Sequence, residues 1–591
     1  MISRTFEILE YSLKNHPRED ILAGKKNGKW KKYSTKDYYE YSILAGIGLL
    51  ALGLKKGDKI ATISVNNHPE WNFIDMAMSM TGVIHVPVYP SLSQEDFKFI
   101  FNQSQIKYVF VTDVKTYETI RPVLDHTPFI LSVFGFNQIN GTIYWKKIID
   151  LGKENRLKYV GELDKHKKTM KPDDPVTLIY TSGTTGKPKG VLLSHHNLVS
   201  NVLAASGLHP LRYKNKVISF LPLSHIYERT SNYQFQYSGI GIYYAEGITA
   251  IIENLKEIRP EGFTTVPRIL EKIRSSHLYH GQNLEGLKKS IFLLSNKLAL
   301  GYPNDHNLTL TYRIKRLITY VLVFRKLRNA LGGRIKFIGC GGARLNPKVE
   351  KFFWTAGLPV YQGYGLTETS PLISLNRLPL SKCKIGTVGP VVPGVKVKIE
   401  EDGEILCKGP NVMIEYFKES DLTKKVIDEE GWFHTGDIGE LTRDQFLIIR
   451  GRKKHLFKTS YGKYIVPQVI ENRFSESQII SQLMVVGEDK KFVGALILPN
   501  FEQLFKLVKS SRGLKTFDKM KFAQLPETRR LIQSEINEIN KSLGLNEQIK
   551  KFQIISDDWS VSAGEITPSL KLRRDFILRK YQHLIRLIYN D

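Results

Sequence analysis

The stretch Tyr180-Thr-Ser-Gly-Thr-Thr-Gly-Lys-Pro-Lys-Gly190 sets four hydroxyls, on Thr181, Ser182, Thr184 and Thr185, beside three glycines and the ammonium groups of Lys187 and Lys189. Glycine reaches φ values that other residues avoid, so successive N–H groups can turn inward around an anion. Hydroxyl and ammonium donors complete such a shell around phosphate oxygens. On either side, Val176-Thr-Leu-Ile-Tyr180 and Gly190-Val-Leu-Leu193 are short apolar runs of strand type, so the loop is expected to join two strands. A Walker P-loop is excluded: Gly183 and Gly186 stand too close, and Pro188 follows the lysine where Ser or Thr is needed. An ordinary Gly/Ser/Thr linker is the other reading. Linkers seldom sit between two apolar runs with paired lysines.

Outward from this loop, strand-like and helix-like stretches alternate. Lys59–Ser64, His85–Tyr89 and Lys107–Thr112 read as strands, and Trp71–Met80 reads as a helix. Alternation of this kind predicts mainly parallel sheets with flanking helices. Val395–Ile399 and Glu404–Cys407 enclose Asp402-Gly403, a hairpin signal that predicts a small antiparallel, β-barrel-like part. After Arg452 the texture changes. Pro467 opens a helical pattern through Phe474, Leu483–Val486 and Phe492–Leu498 read as strands, and a polar helical insertion fills roughly 501–548. The expected fold is α/β, with a large N-terminal domain over 1–451 and a smaller, mobile α+β domain over 452–591. A chain of 591 residues is too long for one core.

Eighty-six Lys and Arg against 58 Asp and Glu give a net charge of +28, which suits polyanions such as nucleotides, coenzyme A or an anionic lipid surface. No nucleic-acid partner is expected, because zinc-finger spacing, an RNP-like aromatic motif and a heptad-bearing basic helix are all missing from the sequence. Cys340, Cys383 and Cys407 are too widely spaced for a metal cluster or disulfide framework, which favours a reducing, cytoplasmic setting. The first ten residues lack the apolar core of a signal peptide, and no uninterrupted apolar run reaches the length of about 18 residues that a spanning helix needs.

The loop resembles the phosphate-binding signature of the acyl-adenylate-forming enzymes, and further segments match that family in its own order over nearly the whole chain. The resemblance implies ATP, Mg²⁺ and coenzyme A as ligands. Thr181, Ser182, Gly183, Thr184, Thr185 and Lys187 would hold the phosphates, with Thr184 also acting at the metal. Tyr361-Gln-Gly-Tyr-Gly-Leu-Thr-Glu-Thr369 is similar to the family's adenine and metal segment. It implies that Gln362, Gly363, Tyr364 and Gly365 border adenine, that Thr367 bonds the α-phosphate or acyl carbonyl, and that Glu368 ligates Mg²⁺. A hard carboxylate oxygen suits that ion, which takes few protein ligands beside substrate phosphates. Ile338-Gly-Cys-Gly-Gly-Ala343 looks like the backbone wall of the adenine pocket, through Gly342 and Ala343; a tight structural turn is its plainer reading.

Gly431-Trp-Phe-His-Thr-Gly-Asp-Ile-Gly439 is similar to the ribose-binding stretch, in which Asp437 would accept from both hydroxyls; a turn aspartate would look alike. Ile448-Ile-Arg-Gly-Arg-Lys-Lys454 resembles the family's hinge, with Ile449 and Arg452 at the nucleotide and Lys454 at the pivot. Gly564-Glu-Ile-Thr-Pro-Ser-Leu-Lys-Leu-Arg-Arg574 resembles the segment bearing the adenylation lysine, here Lys571. Leu570 stands where many relatives carry glycine, a departure found in the long-chain subgroup.

Leu221-Pro-Leu-Ser-His-Ile-Tyr-Glu-Arg229 and Val266-Pro-Arg-Ile-Leu-Glu-Lys272 look like the long-chain versions of their motifs, placing His225 near the substrate carboxylate and the acyl entrance; a helix-capping histidine is the alternative. The expected reaction is ATP-dependent joining of a long-chain fatty acid to coenzyme A through acyl-AMP. Delivery to a carrier protein, or use of a medium-chain or aromatic acid, is the alternative. Tyr312–Leu331 is basic and apolar at helical spacing, so it is expected either on an anionic membrane or as a core helix with a wet basic face. A homodimer is left open. Lys463 replaces the glutamate that long-chain relatives commonly carry, which puts coenzyme A contacts near the hinge in question.

Overall fold

The computed structural model describes residues 2–182, 188–474, 477–512, 518–560, 563–567 and 572–589. Two eight-stranded sheets dominate the N-terminal part. In the first, the Val- and Ile-rich strands Lys59–Ile63, Ile84–Val88, Ile106–Val111, Ser132–Gly135, Ile143–Tyr144 and Pro175–Ser182 run parallel. Near-continuous burial of the first three fits strands covered on both faces by helices. Pro188–Ser194 then turns back antiparallel to Pro175–Ser182, and Glu415–Tyr416 adds beside it. The two expected strands are therefore present and paired, and residues 183–187 between them lie outside the described residues.

The second sheet has a parallel centre made by Leu22–Lys26, Gly241–Tyr244, Lys216–Ser219, Gly262–Thr265, Phe337–Cys340 and Val360–Gly365. Antiparallel strands Lys29–Tyr33 and Leu372–Leu375 close its two edges. Helix starts follow local chemistry. Ser34 and Asp37 form a capping box for Thr35–Ala51, as Ser194 and Asn197 do for His195–Ala205. Pro69 supplies the preset φ of a first helical turn for Pro69–Thr81.

A buried polar network joins the sheets. Arg229, on the helix Ile226–Tyr237, donates to Asp75 on Pro69–Thr81, to Thr177 Oγ1 at 2.7 Å and to Tyr233 Oη at 2.9 Å. Asp75 also accepts from Tyr233 and pairs with His85 Nδ1 at 2.6 Å. Burial alone would raise the Asp75 carboxyl, but Arg229 and His85 outweigh it and hold it below its ordinary value. Burial pushes His85 down to about 4 against the pull of Asp75.

Lys396–Ile399, Glu404–Lys408, Phe433–Leu441 and Leu447–Arg452 form a four-stranded antiparallel sheet, and the Asp402-Gly403 hairpin pairs Ile399 with Ile405 as expected. From Phe457 onward a separate apolar core extends to Ile588. It surrounds a three-stranded sheet of Ile480–Val486, Val493–Pro499 and Ile549–Ile554, with the helix Pro467–Phe474 packed against it. Helices Phe501–Arg512, Lys519–Ala523 and Pro526–Asn540 occupy the polar insertion.

Candidate active site

A cavity of about 1640 Å³ opens where the strand ends of the N-terminal part meet residues beyond 454. Thr181 and Pro188, which flank the undescribed loop, line it. Ser182 closes its strand, and its side chain, Gly183, Thr184, Thr185 and Lys187 lie outside the described residues. The strand register brings the loop's far end to the metal segment: Tyr416 pairs with Val191, and the Lys189 ammonium lies 5.3 Å from the centre of the Tyr416 ring. Tyr416 Oη donates to Glu368 Oε1 at 2.8 Å, and Met413 N–H holds the Glu368 carbonyl at 2.8 Å. Sequence reasoning missed Tyr416, since nothing local marks a residue that acts across 48 positions.

The adenine and metal segment is itself largely strand, Val360–Gly365, followed by a tight turn at Thr367–Thr369. Gln362, Gly363, Tyr364, Gly365, Thr367 and Glu368 all face the cavity. A Cβ on Gly365 would stand 1.7 Å from the Pro371 carbonyl oxygen, so only glycine lets this strand bend back so closely. Gly342, at φ +83°, and Ala343 line the same cavity, following the strand Phe337–Cys340 that pairs with Val360–Gly365. Gln362 Oε1 is buried with no hydrogen-bond partner among the described residues.

Asp437 is held from several sides. Tyr364 Oη donates to its Oδ2 at 2.8 Å, Arg452 Nε lies 2.8 Å from its Oδ1, and its own N–H donates to Thr435 Oγ1 at 3.1 Å. The two strands that carry Asp437 and Arg452 pair these residues directly. Asp437 raises the Arg452 guanidinium above its ordinary value, with burial opposing and Glu368 adding to the rise. Burial and the Asp437 carboxylate push the Tyr364 phenol well above its usual range, which keeps it a donor. Ile449 lines the same wall. Lys454 faces the cavity too, its ammonium lowered by burial and by Arg452 and Lys189, with Asp575 opposing.

His225 borders the cavity and caps the helix Ile226–Tyr237, its Nδ1 accepting from Tyr227 N–H at 3.1 Å. The capping reading holds, and the residue also lines the cavity. Lys571 lies outside the described residues; Thr567 and Leu572 on either side of that gap line the cavity.

The donors present fit a Mg²⁺ ion shared with phosphates. Glu368 Oε2 has no protein partner among the described residues, and within them no group of three or more His, Cys, Asp or Glu could hold a metal unaided. A cation with one carboxylate and substrate oxygens needs no larger cage.

Comparison with known proteins adds to this geometry. Residues 9–417 match the AMP-binding enzyme family, and residues 455–591 match the AMP-binding enzyme C-terminal domain. The chain is similar to the long-chain-fatty-acid–CoA ligase FadD15 of Mycobacterium tuberculosis, 31% identical over 97% of this chain and 96% of that protein. It is also similar to long chain acyl-CoA synthetase 1 of Arabidopsis thaliana, 30% identical over 100% and 93% of the two chains. Among solved structures, the adenylation domain of a carboxylate reductase from Mycobacterium chelonae shares the fold with a TM-score of 0.77 at 19% identity, over 100% of this chain and 91% of that one. The A domain of a carboxylic acid reductase from Segniliparus rugosus, in complex with AMP, shares it at 0.73 and 19% identity, over 99% and 94%.

Proposed function

The chain belongs to the AMP-binding enzyme family, and we infer that it joins long-chain fatty acids to coenzyme A by way of an acyl-adenylate. One observation carries this reading: the Asp437 carboxylate, clasped between Tyr364 and Arg452, shares a cavity with Glu368 and both ends of the hydroxyl loop. That arrangement offers a ribose acceptor, a phosphate shell and a metal ligand within one enclosure. A carboxylate is a poor electrophile with a poor leaving group. Attack of its oxygen on the α-phosphorus of ATP expels pyrophosphate and leaves a mixed anhydride. The coenzyme A thiolate then attacks the acyl carbon and expels AMP.

In this reading Thr181, Ser182, Thr184, Thr185 and Lys187 bind the phosphates. Gly342, Ala343, Gln362 and Tyr364 enclose adenine, and Asp437 with Arg452 holds ribose. When bound at Glu368 and Thr184, Mg²⁺ neutralises charge on the phosphates. Thr367 and His225 border the reacting carboxylate, and Lys571 bridges it to the α-phosphate. We divide the chain at 451/452. The separate apolar core from Phe457 and the break between the two family matches support that division. Turning about Lys454 would withdraw Lys571 after the first step and admit the thiol. Three unpaired, buried cysteines suit a cytoplasmic setting.

The test is ATP–pyrophosphate exchange and thioester detection with acids of increasing chain length. Exchange and thioester formation should both be greatest with long-chain acids. Lys571→Ala should lose exchange by about 100-fold or more, as when one preorganised electrostatic group is removed, yet still convert supplied acyl-adenylate to thioester. Exchange without any coenzyme A thioester would overturn the ligase assignment in favour of a carrier-protein acceptor.

A further inference from the structure

The helices Gly286–Leu300 and Leu310–Thr319, the latter continuing through Tyr320–Phe324, present their apolar residues to the outside. Ten large apolar side chains between Leu287 and Leu322 are 45–76% exposed, against eighteen comparable ones over the rest of the described chain. The inward faces are poorer in apolar bulk: Phe292, Ser295 and Ala299 on the first helix, Thr319 and Phe324 on the second. Tyr312 Oη donates to the Leu298 carbonyl at 2.9 Å and ties the two helices side by side. The result is one contiguous platform. Isolated exposed apolar residues are ordinary, but a patch of this extent marks a surface that another phase or partner covers.

Charge selects the occupant. Helices 286–300 and 310–330 carry nine Lys and Arg and no Asp or Glu. Arg316 and Arg328 are spent on the carbonyls of Trp354, Thr355, Gly333 and Gly357, which anchor the platform. The other seven, among them Lys289, Lys297, Arg313, Lys315 and Lys326, stand exposed around the apolar patch. A second copy docked by two-fold symmetry would set this positive rim against itself. An anionic bilayer takes both components, acyl chains against the leucines and headgroups against the rim.

Behind the platform lies the cavity. Tyr312 meets Tyr302 edge-on at 5.8 Å, Tyr302 approaches Trp354 at 6.4 Å, and Trp354 meets Tyr361, a cavity wall residue, at 5.7 Å. A chain of four aromatic rings thus links the exposed face to the cavity wall.

We propose that Gly286–Leu300 and Leu310–Phe324 form a two-helix platform that docks the protein on anionic lipid bilayers. Lipid docking stands apart from the reaction; the use of the platform to collect membrane-dissolved acid rests on the ligase reading above. Flotation of the full chain with vesicles of phosphatidylglycerol in phosphatidylcholine, against phosphatidylcholine alone and at low and high salt, tests it without any activity readout. Binding should need the anionic lipid and weaken with salt. Leu317→Asp with Ile318→Asp should weaken it at least about tenfold, and Lys315→Glu with Lys326→Glu should abolish the anionic preference. Both pairs are exposed, so each variant should keep the wild-type rate of pyrophosphate exchange with a short, water-soluble acid. Absence of exchange in wild type with both short- and long-chain acids, with vesicle binding intact, would sink the ligase reading and spare the platform. No binding, binding indifferent to lipid charge, unchanged binding by the variants, or a dimer that Leu317→Asp dissolves would each overturn the platform.

Discussion

At the residue scale, the chemistry of the site concentrates on Asp437. Its two oxygens already have partners in Tyr364 and Arg452, and the residue lines the cavity together with Ile449. Asp437→Asn keeps the shape but loses the charge that Arg452 answers and one acceptor for a ribose hydroxyl. Hydrogen bonds to charged groups contribute about 1.5–3 kcal/mol, so KM for ATP should rise roughly 10- to 100-fold. Initial rates over an ATP series read this directly, and an unchanged KM would remove Asp437 from the nucleotide. The residues of this clasp were legible through the resemblance of their short, glycine-bounded motifs to the family's nucleotide segments, whereas their contacts with one another were not. Tyr416, which positions Glu368, was not, because a lone tyrosine in Glu415-Tyr416 carries no sign of the strand it will join. Its role arises from sheet pairing.

At the element scale, strands rich in Val and Ile, the Asp402-Gly403 hairpin and the proline-opened helices were readable from local composition. The order of strands in each sheet was not, since long-range pairing has no local signal. Nor was the break in the basic helix, where the α-helical run Leu310–Thr319 passes into a π-turn over Tyr320–Phe324 before Arg325–Ala330 resumes it. The Arg229–Asp75 contact between two helices belongs here. Leu221–Arg229 reads as a substrate motif, yet Arg229 is buried against Asp75 and does not itself line the cavity. Arg229→Met would leave Asp75 charged, buried and short of its guanidinium, a defect worth about 3–5 kcal/mol. The first urea transition should move to lower concentration, and Asp75→Asn added to Arg229→Met should recover part of the loss. A single variant as stable as wild type would show that the pair does not stabilise the fold.

At the scale of the whole molecule, buried titratable groups set the pH at which the fold is most secure. Burial lowers His85, His209, His277 and His306 to about 4, and His195 and His455 to about 3, from an ordinary 6.5. As pH falls below 6.5 the unfolded chain takes up these protons while the folded chain does not, so stability is lost on acidification. Two carboxyls act in the opposite sense. Burial raises Glu228 to about 7 and Glu350 to about 8 from an ordinary 4.5, so the folded chain holds their protons longer and stability falls as pH rises through those values. Near pH 5 the histidines prevail and the unfolded chain holds about three to four more protons. Near pH 7 the two sets cancel. Tm from scanning calorimetry should therefore peak around neutrality, drop steeply toward pH 5 and decline gently above 7. Glu350→Gln keeps the neutral shape of the protonated acid, whose Oε2 accepts from Gly386 N–H at 3.0 Å, and removes its opposition to the histidines, so the alkaline limb should flatten, the acid limb steepen and the maximum move to higher pH. A Tm that holds level from pH 7 to 5 would mean that these imidazoles exchange protons with solvent in the folded state as freely as in the unfolded one.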